Sequence, residues 1–518
     1  MKVNAMKISE KIVNAIYQSS KPCANPLYDY ASYKRWHEAS LQESFWMEQA
    51  QHLEWMQFPT KANSSRFNPP AEIRWFEDGT LNVCYNCVDR HLHSQKTAII
   101  FEPDECGKTE RISYKTLHQK VCQMANALKK LGVKKGDIVT LYLPMEPSII
   151  YSMLACARIG AVHSVVFSGF SPHALSERLV QSRSKVIITK TASQRGGRSI
   201  SLKKNVDSAI QESATLGAVP TVLLADDVYN EFATNEFSAE CPCEKILSTD
   251  PLFLLYTSGS TGRPKGVVHS SGGYLTYVAT TYRLIFDAKP NDVYFCTADI
   301  GWITGHSYGV YGPLVNGATL VLFQGVPTYP DASRFWKIID EQAVTVFYTS
   351  PTALRSLRKS SQEFVEQASL NSLRILASVG EPIDPPTWQW FYESVGHKRC
   401  PIMDTWWQTE TGGVLICPLV QNSGQKPGCA DKPFAGAFST IVPCKTNDSA
   451  EHTGQLCFKN SWPGQFIGIL NDPEYFQTYF QNGVYASGDG ARVDSDGSIW
   501  ILGRMDDVIN VSGHRLNS

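Results

Sequence analysis

Short apolar runs separated by stretches of helical periodicity set the strongest limit on how this chain can fold. Residues 97–102 (TAIIFE) read as a strand, and residues 113–131 then place Leu117, Val121, Met124, Leu128 and Leu131 at helical spacing. Gly132 follows as a natural helix end. A strand at 137–143, a helix at 148–158 and a strand at 162–167 come next. Ser171 and Pro172 then open another helix, Ser as the cap and Pro in the first turn. This rhythm predicts a largely parallel sheet covered by helices, an α/β fold. A second pass starts at Pro251, with strands expected at 292–297, 319–323 and 344–349. After about Leu419 the segments shorten to β type, and residues 494–497 (DSDG) are placed to turn a hairpin.

At 518 residues the chain is too long for one compact core, so two to four domains or subdomains are expected. A formal net charge of −1 gives no global attraction to nucleic acid or an anionic membrane, so an anionic ligand must be held by local constellations. The first residues have no apolar core of signal-peptide length, and no later segment has the length and apolarity to span a bilayer. Fourteen cysteines include one C-x-x-C (Cys84, Cys87) and one C-x-C (Cys241, Cys243), with no second pair at zinc-finger spacing. Reduced thiols and a cytoplasmic location are the expectation.

The chemistry concentrates at residues 256–267, YTSGSTGRPKGV, directly after the apolar run LFLL that follows Pro251. Thr257, Ser258, Ser260 and Thr261 alternate with Gly259, Gly262 and Gly266, and Arg263 and Lys265 stand at the far end. Glycines let backbone N–H groups turn toward an anion, hydroxyls add donors and the lysine adds charge. That is a polyphosphate holder, although no Walker pattern aligns. A plain flexible turn would need neither the buried strand before it nor the lysine after it.

This loop resembles the phosphate-binding signature of acyl-adenylate-forming enzymes, and the rest of the chain resembles the acetyl-CoA synthetase family among them. The resemblance implies two α/β subdomains with mainly parallel sheets plus a β-barrel-like one. It divides the chain into a helical, irregular, Trp-rich lead-in (1–94), a first α/β subdomain (95–250), a second with the phosphate loop (251–419), a β-rich part (420–505) and a hinge (506–518). In that family the hinge leads to a small mobile domain with a lysine that assists adenylation, so the chain reads as cut just past the hinge and impaired in adenylation. The implied activity joins a carboxylate to the AMP part of ATP, releases pyrophosphate, and passes the acyl group to coenzyme A. ATP, Mg²⁺ and coenzyme A are the implied cofactors, with acetate, ATP and coenzyme A as small-molecule partners and no obligate protein partner.

Residue by residue, the resemblance assigns Gly380, Glu381 and Pro382 to the base and ribose. Asp404, Thr405, Trp406, Gln408 and Thr409, from DTWWQTETGG, line the nucleotide, and Glu410 is the Mg²⁺ ligand. Asp489 accepts from the ribose hydroxyls, Arg504 and Arg515 lie by the phosphates, and Asp506 is the pivot. Lys265, Glu410 and Asp506 are the catalytic assignments. Ile303, Thr304, Val379 and Trp407 form the acyl pocket, and the bulk of Trp407 implies acetate, with propionate or another short acid as the alternative. For coenzyme A the match gives Gly169, Arg195, Arg198, Thr304 and Ser512, the paired arginines suiting bidentate capture of its 3′-phosphate. Thr328 stands where many relatives have Asn.

Two rival readings remain at this stage. Residues 305–309 (GHSYG) satisfy G-x-S-x-G, the nucleophile elbow of serine hydrolases, with Ser307 as nucleophile and His452 or His514 as base. The elbow, however, needs a strand running straight into the serine, and Gly301, Trp302 and Thr304 intervene. The other rival is a non-catalytic nucleotide binder.

Overall fold

The structure is a computed structural model that describes residues 30–229, 237–258, 263–360, 362–418, 424–443 and 453–505, with backbone alone at 508–511 and 514–517. Gly259, Ser260, Thr261, Gly262, Asp506, Ser512 and His452 lie outside the described residues, as do the side chains of Ser258, His514 and Arg515.

Two seven-stranded sheets carry the fold. The first runs in space through Thr221–Leu224, Val186–Thr189, Ile138–Leu141, Val162–Val165 and Pro251–Ser258, all parallel. Antiparallel Pro264–Ser270 and Gly468–Ile469 close that edge. The second runs through Ile402–Asp404, Ile375–Ser378, Val346–Thr349, Val293–Cys296, Thr319–Phe323 and Thr97–Glu102, again parallel, with antiparallel Glu110–Ser113 at its edge. Residues rich in Val, Ile, Leu and Phe suit these strands because helices bury both faces of a parallel sheet.

Sheet membership departs from the division expected at residues 95–250. The strand Thr97–Glu102 and its hairpin partner belong to the second sheet, beside Thr319–Phe323. Its side chains Ile99 and Ile100, on opposite faces of the strand, are both fully buried there. Local periodicity states that a segment is a strand; it does not state which of two sheets will cover it.

The helix ends follow the sequence signals. Tyr114–Lys130 is capped by the Ser113 side chain accepting from the Thr116 N–H, and Gly132 after it has φ +76°. Pro172–Ser182 is capped by Ser171 accepting from Ala174 N–H. The Trp-rich lead-in holds the parts together. Trp46 is buried edge-on against Trp75 and beside Tyr277 of the helix Gly272–Ile285, while Trp36 packs edge-on against Phe434. Tyr33 donates to the Pro433 carbonyl at 2.9 Å and His37 to the Ala437 carbonyl at 2.8 Å. The β-rich part is a five-stranded antiparallel sheet, in which Val484–Val493 pairs with Ile499–Arg504 across the expected turn. Among the described residues, no helix is long and apolar enough to cross a membrane.

Candidate active site

The C-terminal ends of Ile375–Ser378 and Ile402–Asp404 open onto a cavity of about 550 Å³. A cavity there is the expected ligand position for an open parallel sheet. Gly380, Glu381, Pro382, Asp404, Thr405, Trp406, Trp407, Gln408, Asp489 and Arg504 all contribute to its lining. Residues from two sheets, up to 124 positions apart in the sequence (Gly380 to Arg504), therefore meet around one space.

Asp489 is the organising carboxylate. Its Oδ2 accepts from Trp406 Nε1 at 2.9 Å and from Gln408 Nε2 at 2.9 Å, and its Oδ1 lies 3.7 Å from Arg504 Nε. Gln408 is fixed in turn, donating to the Ser487 carbonyl at 2.8 Å and accepting from Tyr485 OH at 3.0 Å. Burial pushes the Asp489 carboxyl up to about 6, opposed by Arg504, Trp406 and Gln408. Burial alone raises Asp404, deeper in the cleft, to about 8. A carboxyl held neutral at pH 7 can donate as well as accept.

Glu381 lies at the rim with its carboxylate already used. It accepts from the Thr352 N–H at 2.7 Å and pairs with Arg355 at 2.5 Å. Desolvation raises its pKa, but these bonds outweigh it and hold the group below its ordinary value. Gly380, at φ +95°, makes the turn that carries Glu381 into place.

The turn bearing Thr409 and Glu410 is held from several sides. His269 donates from Nε2 to the Thr409 carbonyl at 2.8 Å, and burial lowers that imidazole to about 3, so it stays neutral. Trp462 Nε1 donates to the Thr411 carbonyl at 2.9 Å and Ser307 Oγ to the Gly412 carbonyl at 2.7 Å. Gly412 has φ +68°, and a Cβ there would stand 2.1 Å from the Gly464 carbonyl oxygen, so the turn closes only with glycine. Tyr479 OH donates to Glu410 Oε1 at 2.9 Å.

Lys265 lies on Pro264–Ser270, opposite Thr257 at the end of Pro251–Ser258. It is 7% exposed, its Nζ has no hydrogen-bond partner among the described residues, and it stands 2.9 Å from the centre of the Tyr475 ring. The Tyr475 ring is thus its cation–π partner among the described residues.

Trp407 points the other way from Trp406. Its Nε1 is 3.3 Å from Tyr348 OH, and its ring meets Tyr308 edge-on at 5.1 Å. Ile303 and Val379 belong to the same buried apolar cluster, and Thr304 is buried beside Ile303. Of these four, Trp407 alone reaches the nucleotide-sized cavity.

A second cavity, of about 280 Å³, is lined in part by Phe167, Gly169, Arg195, Asp299 and Gln324. Gly169 and Arg195 are thus together; Thr304, Arg198 and Thr328 are not part of that lining. Another cavity of about 590 Å³, by Lys426, Lys432 and Asp496, carries charges that satisfy one another. Lys426 pairs with Asp496 at 2.6 Å and Lys432 donates to the Asp496 carbonyl at 2.7 Å.

The nucleophile-elbow reading of Ser307 fails on geometry. The residue lies in a π-helical segment, Gly305–Tyr311, with no strand leading into it. It is fully buried, donates to the Gly412 carbonyl and shares a hydrogen bond with Tyr274 OH at 2.8 Å. Its hydrogen bonds hold a turn, and no histidine among the described residues bonds to it. Tyr479, Tyr485 and His269 are the site residues that sequence reasoning missed. Tyr485 stands four positions before Asp489, whereas Tyr479 and His269 carried no local signal.

An α/β scaffold with a cleft of this lining is that of a nucleotide-binding enzyme, and residues 89–466 match the family described as AMP-binding enzyme. Residues 31–87 match the acetyl-coenzyme A synthetase N-terminus. The chain is 50% identical over 514 residues to the acetyl-coenzyme A synthetase of Rhizobium meliloti (strain 1021), covering 95% of this chain and 79% of that protein. It is 50% identical over 529 residues to that of Bradyrhizobium diazoefficiens, covering 99% of this chain and 81% of the relative. The one from Bartonella henselae is 49% identical over 516 residues. The chain belongs to the acetyl-coenzyme A synthetase family of AMP-binding enzymes.

Proposed function

We propose that the chain activates acetate with ATP and transfers the acetyl group to coenzyme A. In the first step an acetate oxygen attacks the α-phosphorus of ATP and pyrophosphate leaves, giving acetyl-AMP. In the second, the coenzyme thiol attacks the acetyl carbonyl and AMP leaves, giving acetyl-CoA.

The observation that carries the reading is the division of labour between adjacent tryptophans: Trp406 bonds Asp489 in the nucleotide cleft, and Trp407 faces Tyr308 and Tyr348. In this reading Asp489 accepts from the ribose hydroxyls, with Trp406 and Gln408 fixing one of its oxygens so that the other faces Arg504. Gly380, Glu381 and Pro382 border the base, and Glu381 contributes through its backbone because its carboxylate is taken by Thr352 and Arg355. Asp404, Thr405 and Thr409 complete that wall. Lys265, with the loop at residues 257–262, receives the phosphates; Arg504, Arg515 and Asp506 act from the hinge. Trp407, with Ile303, Thr304 and Val379, leaves room for a methyl group. Gly169, Arg195, Arg198, Thr304 and Ser512 receive the coenzyme.

Mg²⁺ fits the residues present. At such a site the ion would draw most of its ligands from the nucleotide and water. Glu410, one oxygen held by Tyr479, would supply the single carboxylate. When bound there, the ion neutralises phosphate charge in the phosphoryl transfer. The protein's own part is to bring two anions together and keep water away from the acyl phosphate.

Thermal unfolding with non-hydrolysable acyl-adenylate analogues of two, three and four carbons tests this reading. A ligand at a hundred times its Kd stabilises by about 2.7 kcal/mol. The two-carbon analogue should stabilise most. Greater stabilisation by longer analogues would move the substrate to propionate or a longer acid, and none by any of them would remove the adenylate reading.

A further inference from the structure

The two arginines read as a grip for the coenzyme's phosphate stand on a hairpin of Ala192–Arg195 and Arg198–Ser201, and they pair directly across it. Side chains opposite one another on an antiparallel pair lie on one face, and like charges in that arrangement repel. Both arginines are exposed, and neither forms an ion pair among the described residues; Arg195 lies over the Phe167 ring at 5.7 Å. The turn between them is Gly196 and Gly197, at φ +60° and +74°, which a two-residue hairpin of this hand requires.

Successive amides of such a turn can themselves bind an anion. Here that place is taken. Asp104, 5% exposed, accepts from the Gly196 N–H through Oδ1 at 2.6 Å and from the Gly197 N–H through Oδ2 at 2.7 Å. Asp104 comes from the other sheet, just past Thr97–Glu102. Its backbone N–H donates to Gln324 Oε1 at 3.4 Å, and Gln324 Nε2 reaches Ser193 Oγ on the hairpin at 3.2 Å. Gly325 leaves the carboxylate its room, since a Cβ there would stand 2.9 Å from Asp104 Oδ1.

We propose that Asp104 is a positioning residue for coenzyme binding, its carboxylate pinning the Gly196–Gly197 turn so that Arg195 and Arg198 present a fixed pair of guanidinium groups to the 3′-phosphate. This rests on the assignment of those arginines to the coenzyme. With the turn amides occupied, the phosphate is read by side chains alone, and the pair must be held before the ligand arrives. The same carboxylate offsets the mutual repulsion of the two cations from the far side of the turn.

The test is calorimetric binding of coenzyme A and of 3′-dephospho-coenzyme A to the full chain and to three variants, Asp104→Asn, Gly197→Ala and Arg195→Ala. Stabilisation by the two-carbon acyl-adenylate analogue serves as the check on folding. The proposal expects Asp104→Asn to lose about tenfold of the preference for the phosphorylated ligand, roughly the worth of one bond to a charged group. Binding of the dephospho form and stabilisation by the adenylate analogue should hold. Gly197→Ala keeps the Asp104 carboxylate but strains the turn it pins, at φ +74° and with a Cβ that would stand 2.7 Å from Tyr329 OH, and should lose the preference as well. If Arg195→Ala loses it while Asp104→Asn keeps it, Asp104 is not the positioning residue. If neither loses it, the arginine assignment falls and the proposal with it. Equal weakening of both coenzyme forms and of the adenylate analogue would reduce Asp104 to a general structural contact and overturn the proposal.

Discussion

Trp406 donates its indole N–H to the carboxylate of Asp489 at 2.9 Å, joining a residue just past the edge strand of the second parallel sheet to the longest strand of the antiparallel one. The bond spans 83 positions of sequence and closes the cleft on one side. Neither partner is spare: the indole has no other polar atom, and the carboxylate is 6% exposed.

Asp489→Asn should separate binding from stability. A carboxyl held at about 6 rather than 3.8 costs the fold up to about 3 kcal/mol at neutral pH, at roughly 1.4 kcal/mol per tenfold change in acidity. Because the folded-state value is raised, the folded form binds the extra proton, and wild-type stability falls as pH rises from about 4 through 6. Asn keeps an oxygen for Trp406 and Gln408 but carries no charge. The ligand-free variant should therefore melt higher than the wild type at pH 7.5, with the gap narrowing by pH 5. It should also lose stabilisation by adenylate analogues. A variant that melts lower at pH 7.5 would contradict the buried-charge account.

Trp407→Gly should move the preferred acyl-adenylate analogue from two carbons to longer straight chains. A methylene in an apolar pocket is worth about 1–3 kcal/mol, so a four-carbon analogue should gain at least tenfold over the two-carbon one. The cavity should also cost about 3–5 kcal/mol of stability, because the ring packs edge-on against Tyr308. An unchanged order of analogues would remove Trp407 from the acyl pocket.

Tyr479→Phe removes the hydroxyl that holds Glu410 Oε1. A hydrogen bond to a charged acceptor contributes about 1.5–3 kcal/mol, so ATP binding should need roughly tenfold more Mg²⁺. Calorimetric titration of ATP at graded Mg²⁺ reads this directly. Metal-free ATP binding should hardly change, and an equal loss with and without metal would point to a packing role for the tyrosine.

Ser307→Ala should cost about 1–2 kcal/mol of stability, through the lost donor to the Gly412 carbonyl. It should keep adenylate binding. Wild-type Ser307 should resist fluorophosphonate labelling, and stoichiometric labelling would revive the hydrolase reading.

Much of this was legible in the sequence, and particular contacts show where legibility ended. The expected strand at 319–323 and the helix starts at Ser113 and Ser171 stand where their local signals put them. The motif DTWWQTETGG marked residues that line one cavity, but not that its neighbouring indoles face different partners. Glu381 was read as a ligand contact, and the loan of its carboxylate to Arg355 depends on a helix 26 positions away. Asp104 reaches Gly196 across 92 positions, with no motif to mark it. Local chemistry sets elements and caps; pairings between distant carboxylates and amides emerge only once both sheets are in place.

The placement of Thr97–Glu102 in the second sheet has a cost during synthesis. Thr97 meets Thr319, 222 positions later, as its carbonyl accepts from that hydroxyl. At about 5–20 residues per second, roughly ten to forty seconds separate the two on the ribosome. Five parallel strands of the first sheet are made in that interval, while the early hairpin waits with an open edge. An unpaired apolar strand edge is a template for association with other chains. A nascent chain of this fold therefore passes through a window in which chaperone capture competes with aggregation, and mutations that lengthen it will lower yield without altering the finished enzyme.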